Sequence, residues 1–243
     1  MSFADNPYRS PELTIAALAE VDERTDFIRK TYLNLGGAIF SFAAIEAVLL
    51  NIPGLGETAL ATLASVRYSW LIVMGAFMLV SYLAESWARS AVSVRTQYMG
   101  LSLYVVAEAA IFFPLLSIVN RFDQTHMVIP AAGLATLTIF GGLTAIVFFT
   151  RADFSFLRTA LWLGGLISLG LVAASVLIGF SLGLVFSVAM VALASGYILY
   201  DTSNVLHHYR IGQHVAAALA LFASVALLFW YVIRIIMALT SRD

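Results

Sequence analysis

From Thr31 almost to the carboxyl terminus the chain is a succession of apolar runs, each close to twenty residues long and separated from the next by a short polar break. A helix rises 1.5 Å per residue, and about 20 mostly apolar residues carry it across the hydrocarbon core of a bilayer. The expected fold class is therefore all-α: a polytopic membrane protein with seven transmembrane helices. Composition points the same way. Of 243 residues, 61% are hydrophobic and 11% charged, and mean hydropathy is +0.93. A soluble domain carries about 25% charged residues and could not hide this much apolar surface. A lipid-facing exterior removes the contradiction.

Spans are expected near Thr31–Leu50, Ser69–Ser86, Gln97–Val119, Val128–Phe149, Leu157–Ile178, Leu182–Ser203 and Val215–Leu239. Turn chemistry separates them, with Asn51-Ile-Pro53-Gly54 after the first and Asn120-Arg-Phe-Asp123 after the third. The fifth and sixth spans run together through Gly179-Phe-Ser-Leu-Gly183, read as a tight hairpin because an unbroken span would exceed forty residues. Trp70 and Trp87 bracket the second span about 25 Å apart, the spacing of an aromatic belt at each interface. Residues 1–30 form a polar, mixed-charge amino-terminal segment, and 31–243 form the membrane domain. A cleavable signal peptide would have a basic start and then an apolar run, so the first span is expected to be its own insertion signal. Ser10, Pro11 and Glu12 read as an N-cap, a first-turn proline and a dipole-complementing acid, opening a short surface helix.

With seven crossings, Arg9, Arg24, Arg29, Lys30, Arg89, Arg95, Arg151, Arg158 and Arg210 share the amino-terminal side, against Arg67, Arg121, Arg234 and Arg242 opposite. The positive-inside rule then places the amino terminus in the cytoplasm and the carboxyl terminus outside. Net charge is −1, which gives no sign of nucleic acid as a partner. The absence of cysteine excludes disulfides, thiol catalysis and thiolate metal sites. No internal repeat argues for an inverted-repeat transporter.

Ionisable groups within a membrane span are costly and generally face an interior cavity. They are few here: Glu46, Glu85, Glu108, Asp201 and Arg234. Tyr197, Asp201, Asn204 and His208 are spaced so that they share one helix face. A polar stripe on a membrane helix faces protein or water, which makes Asp201 the leading proton-responsive candidate. Its bland alternative is a helix-end carboxylate in the headgroups. Glu108 lies mid-span on a face with Gln97 and Tyr104, six residues before Pro114, whose ring frees a carbonyl. It reads equally as a pathway group and as a neutral, hydrogen-bonded structural acid. Glu85 precedes Arg89 by four residues, the favourable order for a helical ion pair, which explains it without function. Glu46 is expected to reach the outer headgroups. Arg234 is expected to snorkel or to serve as a counter-ion in the bundle. His207, His208 and His214 cluster in one loop, but neighbouring helical histidines diverge, so solvated pH-responsive residues fit them better than a zinc site.

The loop Thr150-Arg-Ala-Asp-Phe-Ser-Phe-Leu157 and the run Gly196-Tyr-Ile-Leu-Tyr-Asp-Thr-Ser-Asn204 resemble the Bax inhibitor-1 family of small seven-span proteins. Ser86-Trp-Ala-Arg-Ser90, Ala107-Glu-Ala-Ala-Ile-Phe-Phe-Pro114, Leu227-Leu-Phe and Arg234 extend the resemblance over most of the chain after the polar leader. The resemblance implies a central seventh helix surrounded by six others, and a pH-sensitive calcium leak gated by a membrane carboxylate. In bacterial members two aspartates, one on the sixth helix and one on the seventh, share a proton-dependent contact at the cytoplasmic end of the pore. Asp201 matches the first, whereas Ser224 stands where the second is expected. Two close carboxylates make a proton switch because they cannot both ionise cheaply. Asp201 opposite Ser224 keeps a hydrogen-bond partner without that repulsion, so a weaker pH response, or one shared with Glu85 or Glu108, is expected. Phe113 stands where the family usually has a glycine before its proline, and is expected to narrow the path.

A calcium leak needs hard oxygen ligands and a cavity negative enough to attract the ion. The acids Glu85, Glu108 and Asp201 meet that loosely, with Arg89 or Arg234 as counter-ion and Tyr197, Asn204 and Ser224 beside the gate. The expected partners are the lipid bilayer, calcium or protons in transit and other membrane proteins, with no bound cofactor or metal. Enzyme activity is not expected. Aspartyl intramembrane proteolysis needs a second membrane aspartate, a retinal protein a lysine in the last span, and a rhomboid protease a Gly-x-Ser-Gly run with a membrane histidine. The competing class is a non-conducting regulator that binds a membrane protein or protease. Short loops and compact tails suggest a bacterial inner membrane.

Overall fold

The computed structural model describes residues 14–90, 93–123 and 125–240. The expected surface helix at Ser10, Pro11 and Glu12, and the charges of Arg9 and Arg242, lie outside the described residues. Eight α-helices follow one another among the described residues: α1 (Val21–Leu50), α2 (Leu55–Ser65), α3 (Ser69–Ala88), α4 (Val94–Phe122), α5 (Val128–Thr150), α6 (Leu157–Ile178), α7 (Gly183–His207) and α8 (His214–Thr240). All but α2 are long and apolar enough to cross a membrane, so the chain is an integral membrane protein of seven spans.

Three differences from the sequence reading have simple causes. Helix α1 begins at Val21 rather than Thr31, because Asp22 and Glu23 in its first turn complement the helix dipole. The charged stretch 21–30 is thus a helical extension of the first span, carrying an Asp26–Lys30 ion pair at 2.7 Å. Helix α2 has no counterpart among the expected elements. It starts at Gly54, whose φ of 78° is open to glycine, and lies against α1, α3 and α4 without burying any residue completely. Eleven residues cannot span the bilayer, so α2 is a short amphipathic connector. Helix α4 is longer than expected at both ends. Ser93 caps it, its Oγ accepting the Thr96 amide at 3.3 Å, and the helix continues through the buried Pro114. The glycine hairpin between the fifth and sixth spans is present as expected, with φ of 86° at Gly179 and 58° at Gly183.

The last helix is the core. In α8, 72% of the most apolar stretch is buried inside the protein and in α4 56%, whereas the other five spans bury between 6% and 22%. Alanines at 216, 217, 218 and 226 line α8 and let neighbouring backbones approach. Helix α8 packs on α1, α3, α4, α5 and α7, but α6 packs on α7 and lightly on α3, and stands off from α8. The seventh span is therefore central, though ringed closely by five helices rather than six. Helices α3 and α4 form another tight pair, because Gly100 brings α4 against the backbone of Ala84 and Ala88. The segment ahead of α1 is tied down as well. Ala16 N–H donates to Tyr209 C=O at 2.8 Å and Ile211 N–H to Thr14 C=O at 2.9 Å, so residues 14–16 clip onto the α7–α8 loop.

Candidate functional site

The polar stripe of α7 meets a second stripe on α3. Ser81, Glu85 and Arg89 recur every four residues along and just past α3, as Tyr197, Asp201, Asn204 and His208 do at near-helical spacing along and just past α7. Between them lies a cavity of about 690 Å³, which Ala220, Ala223 and Ser224 of α8 leave open through their small size. The structure thus brings together Asp201, Ser224, Glu85, Arg89, Tyr197 and Asn204 on the wall of one vestibule, at the end of the bundle where α1 begins.

Asp201 is 9% exposed, and Ser224 Oγ donates to its Oδ2 at 2.6 Å. A hydroxyl donor that close to a carboxylate is a charge-assisted bond, and it ties the middle of α8 to the end of α7. Glu85 and Arg89 are the charged neighbours of Asp201. They form an ion pair with each other at 2.5 Å, half-exposed to the vestibule. Such an open pair contributes little stability, and its position beside Asp201 matters more. Arg89 is accordingly the near cation of the site. Arg234 is not: its guanidinium lies 5.9 Å over the Tyr231 ring, and ten helical residues put it about 15 Å from Ser224 along α8.

A second cavity of about 560 Å³ lies deeper, between α3, α4, α6, α7 and α8. Tyr104, Tyr197, Ala223 and Ser224 line both cavities and form the neck between them. Glu108, 6% exposed, lines the deeper one, with Tyr104 one helical turn before it on the same face of α4. Tyr197 donates to Leu161 C=O at 2.8 Å, and the glycine at 165 leaves room for its hydroxyl. Farther along, Phe112 stacks on Phe229 at 5.7 Å and meets Trp230 edge-on at 4.9 Å. Phe112, rather than Phe113, is the aromatic that faces the cavity; Phe113 is buried but lines neither space.

The vestibule contains groups that sequence reasoning passed over. Arg158 and Gln213 line it, yet one entered only as a topology charge and the other not at all. Tyr209 also lines it, and burial pushes its hydroxyl above the usual tyrosine value. The α5–α6 loop is clamped to α7 by Ser203, whose Oγ accepts the Phe154 amide at 2.9 Å. In that loop the Asp153 carboxyl is held below the usual carboxylate range, first by the Ser155 amide and further by His208 and His207. His208 Nε2 lies 3.7 Å from Asp153 Oδ2, while His214 sits against Tyr98, so the histidines do not converge on one point.

Glu46 requires a correction. It does not reach the headgroups but is 4% exposed, and neither carboxyl oxygen has a hydrogen-bond partner. It continues the inward stripe Phe27, Thr31, Leu35, Ala38 and Phe42 of α1. That spacing was the available signal, and it outranks closeness to the helix end.

Residues 24–242 match the profile of the family described as Inhibitor of apoptosis-promoting Bax1. The chain is 27% identical to an uncharacterized protein of Pseudomonas aeruginosa, over 83% of this chain and 93% of that one. It is 25% identical to Bax inhibitor 1 of Schizosaccharomyces pombe, over 90% of this chain and 79% of that one. Protein LIFEGUARD 4 of Arabidopsis thaliana is 24% identical, over 88% and 85% respectively. No solved structure matches the chain.

Proposed function

This chain belongs to the Bax inhibitor-1 family of membrane proteins, and we propose that it is a pH-sensitive calcium-leak channel gated at the Asp201–Ser224 contact. The observation that carries this reading is the 2.6 Å bond at the neck between an acid-bearing vestibule and a deeper cavity. Calcium takes hard oxygen ligands, and Asp201, Glu85, Asn204 and Ser224 present them on the vestibule wall. While the bond holds, α7 and α8 stay together at the neck. Protonating Asp201 replaces a charge-assisted acceptor with a weaker neutral one, which loosens that tie and lets the vestibule join the space beside Glu108. Ser224 brings no second carboxylate, so the response rests on Asp201, with Glu85 as its acidic neighbour. Arg89 and Arg158 oppose cation accumulation, and the Glu85–Arg89 pair offsets part of that effect.

On this reading the protein carries no enzyme activity and sits in a bacterial inner membrane. The vestibule then opens to the cytoplasm and the carboxyl terminus lies outside. The charge asymmetry supports that orientation: Arg24, Arg29, Lys30, Arg89, Arg95, Arg151, Arg158 and Arg210 lie toward the side where α1 begins, against Arg67, Arg121 and Arg234 toward the other. A second reading, a non-conducting regulator that binds another membrane protein, is favoured by Ser224, which faces Asp201 where a gating pair would need a second carboxylate.

The two readings separate in liposomes. Calcium influx into vesicles containing the purified protein is followed at several pH values, beside Asp201→Asn. A leak whose size or pH profile changes in the variant supports the channel. A well-folded wild-type protein that passes no calcium at any pH refutes it and leaves the regulator, which tolerates Asp201→Asn provided the fold survives.

A further inference from the structure

The deeper cavity has a charge pattern that ion passage does not explain. Of the residues lining its 560 Å³, one is an acid, Glu108, and none is Lys, Arg or His. Most of the remaining wall is apolar and polarizable, with rings from Phe77, Phe112 and Trp230 and the sulfurs of Met74 and Met190. The Glu108 carboxyl, 6% exposed, shares this wall with the hydroxyls of Tyr104, Tyr197, Ser168 and Ser224 and with no countercharge. A small hydrated cation can pass such walls but is not held by them, because rings and thioethers do not replace its water shell. A bulky cation with dispersed charge loses little hydration and gains from ring faces, sulfur contact and the carboxylate together. The volume falls in the range of about 300–1,000 Å³ that holds drug-sized ligands. Trp70, 37% exposed at the start of α3, also lines the space and marks a way in from the interface. A neutral acyl chain or an anion offers the Glu108 carboxyl no ionic partner, which a bound cation supplies.

We propose that this cavity is a binding site for a bulky lipophilic organic cation, of the quaternary ammonium or phosphonium kind, with Glu108 as its counter-ion inside an aromatic and methionine-lined wall. The site does not depend on conduction, so it stands or falls apart from the calcium leak.

The test is equilibrium binding of tetraphenylphosphonium to the purified full-length protein in nanodiscs, with tetraphenylborate as an anion of matched shape. Wild type is compared with Glu108→Gln, which removes the charge, and Ser168→Phe, which fills the cavity from α6 and keeps the charge. The expected result is saturable binding of one phosphonium per chain. Glu108→Gln weakens it at least about tenfold. Ser168→Phe abolishes it, and tetraphenylborate shows no saturable site. The proposal is overturned if wild type binds no phosphonium saturably, or if a folded Glu108→Gln binds it as wild type does. It is equally overturned if tetraphenylborate competes for the same site, the mark of an unselective slot such as an acyl chain would occupy. If Glu108→Gln does not fold, the Ser168→Phe and tetraphenylborate results decide the matter.

Discussion

Substituting Ser224 by alanine removes one oxygen and leaves the backbone of α8 untouched. It also leaves Asp201 Oδ2, buried between α7 and α8, without its donor at 2.6 Å. A hydrogen bond to a charged acceptor contributes about 1.5–3 kcal/mol, and a stranded buried acceptor costs a comparable amount. In a chain of this length each kcal/mol moves a thermal midpoint by about 2–4 °C, so Ser224→Ala should melt about 3–12 °C lower. Water in the adjoining vestibule can replace the donor in part, which favours the lower half of that range. The assay is circular dichroism at 222 nm on purified protein in a mild detergent. Ser224→Thr keeps the hydroxyl and should recover most of the loss. Ser187→Ala is the control, since that buried serine bonds only to Gly183 C=O of its own helix, at 3.3 Å. A Ser224→Ala midpoint within about 1 °C of wild type would show that the bond does not hold α7 to α8.

Three further outcomes follow from particular contacts, each read by the same melt. Glu46→Met replaces a buried carboxyl that has no partner with an apolar chain of similar length. It should raise stability by about 1–3 kcal/mol, and an unchanged or lower midpoint would contradict the burial argument. Gly100→Ala would place a methyl 2.5 Å from Ala84 C=O and 2.6 Å from Ala88 N. Backbone atoms cannot swing aside, so a loss of about 1–3 kcal/mol or more is expected, whereas Gly75→Ala, with nothing within 4 Å, should be neutral or mildly stabilising. Asp123, just past α4, is held below the usual carboxylate range, chiefly by the Thr125 hydroxyl at 2.6 Å and then by the Val128 amide at 2.7 Å. Because its folded pKa lies below its unfolded value, its contribution is present above about pH 4 and is lost as pH falls through the folded pKa. The stability gap between wild type and Asp123→Asn should therefore be constant near neutrality and close in acid; a gap that stays constant from pH 6 to pH 2 would count against this role.

Seven spans, the glycine hairpin and the inward stripe at the end of α7 were legible in the chain itself, because each depends on short-range spacing. A twenty-residue apolar run needs no partner to declare itself, and residues three and four apart share a helix face whatever lies opposite. The same local logic exposed Glu85 with Arg89. It failed where two rules competed. Glu46 lies near a helix end and also on the buried stripe of α1, and packing against the bundle overruled the headgroups. It failed again for α2, whose weak amphipathic pattern becomes a helix only with α1, α3 and α4 to lie against.

Pairings between helices belong to the tertiary structure. That Ser224 meets Asp201 had been expected only by resemblance, and that Arg89 rather than Arg234 is the near cation depends on the relative heights of α3, α7 and α8. The neck formed by Tyr104, Tyr197, Ala223 and Ser224 draws on three helices, and no spacing in one segment can announce it. The apolar cavity beside Glu108 exists because α6 stands off from α8, and a void between helices leaves no mark on the periodicity of either. What the sequence by itself determined is therefore each helix and the face it turns inward, since those follow from the 3.6-residue period and the thickness of a bilayer. Which inward faces meet, and where they fail to close, was decided by side-chain volume at the contacts, where alanine and glycine let helices approach and aromatic rings hold them apart.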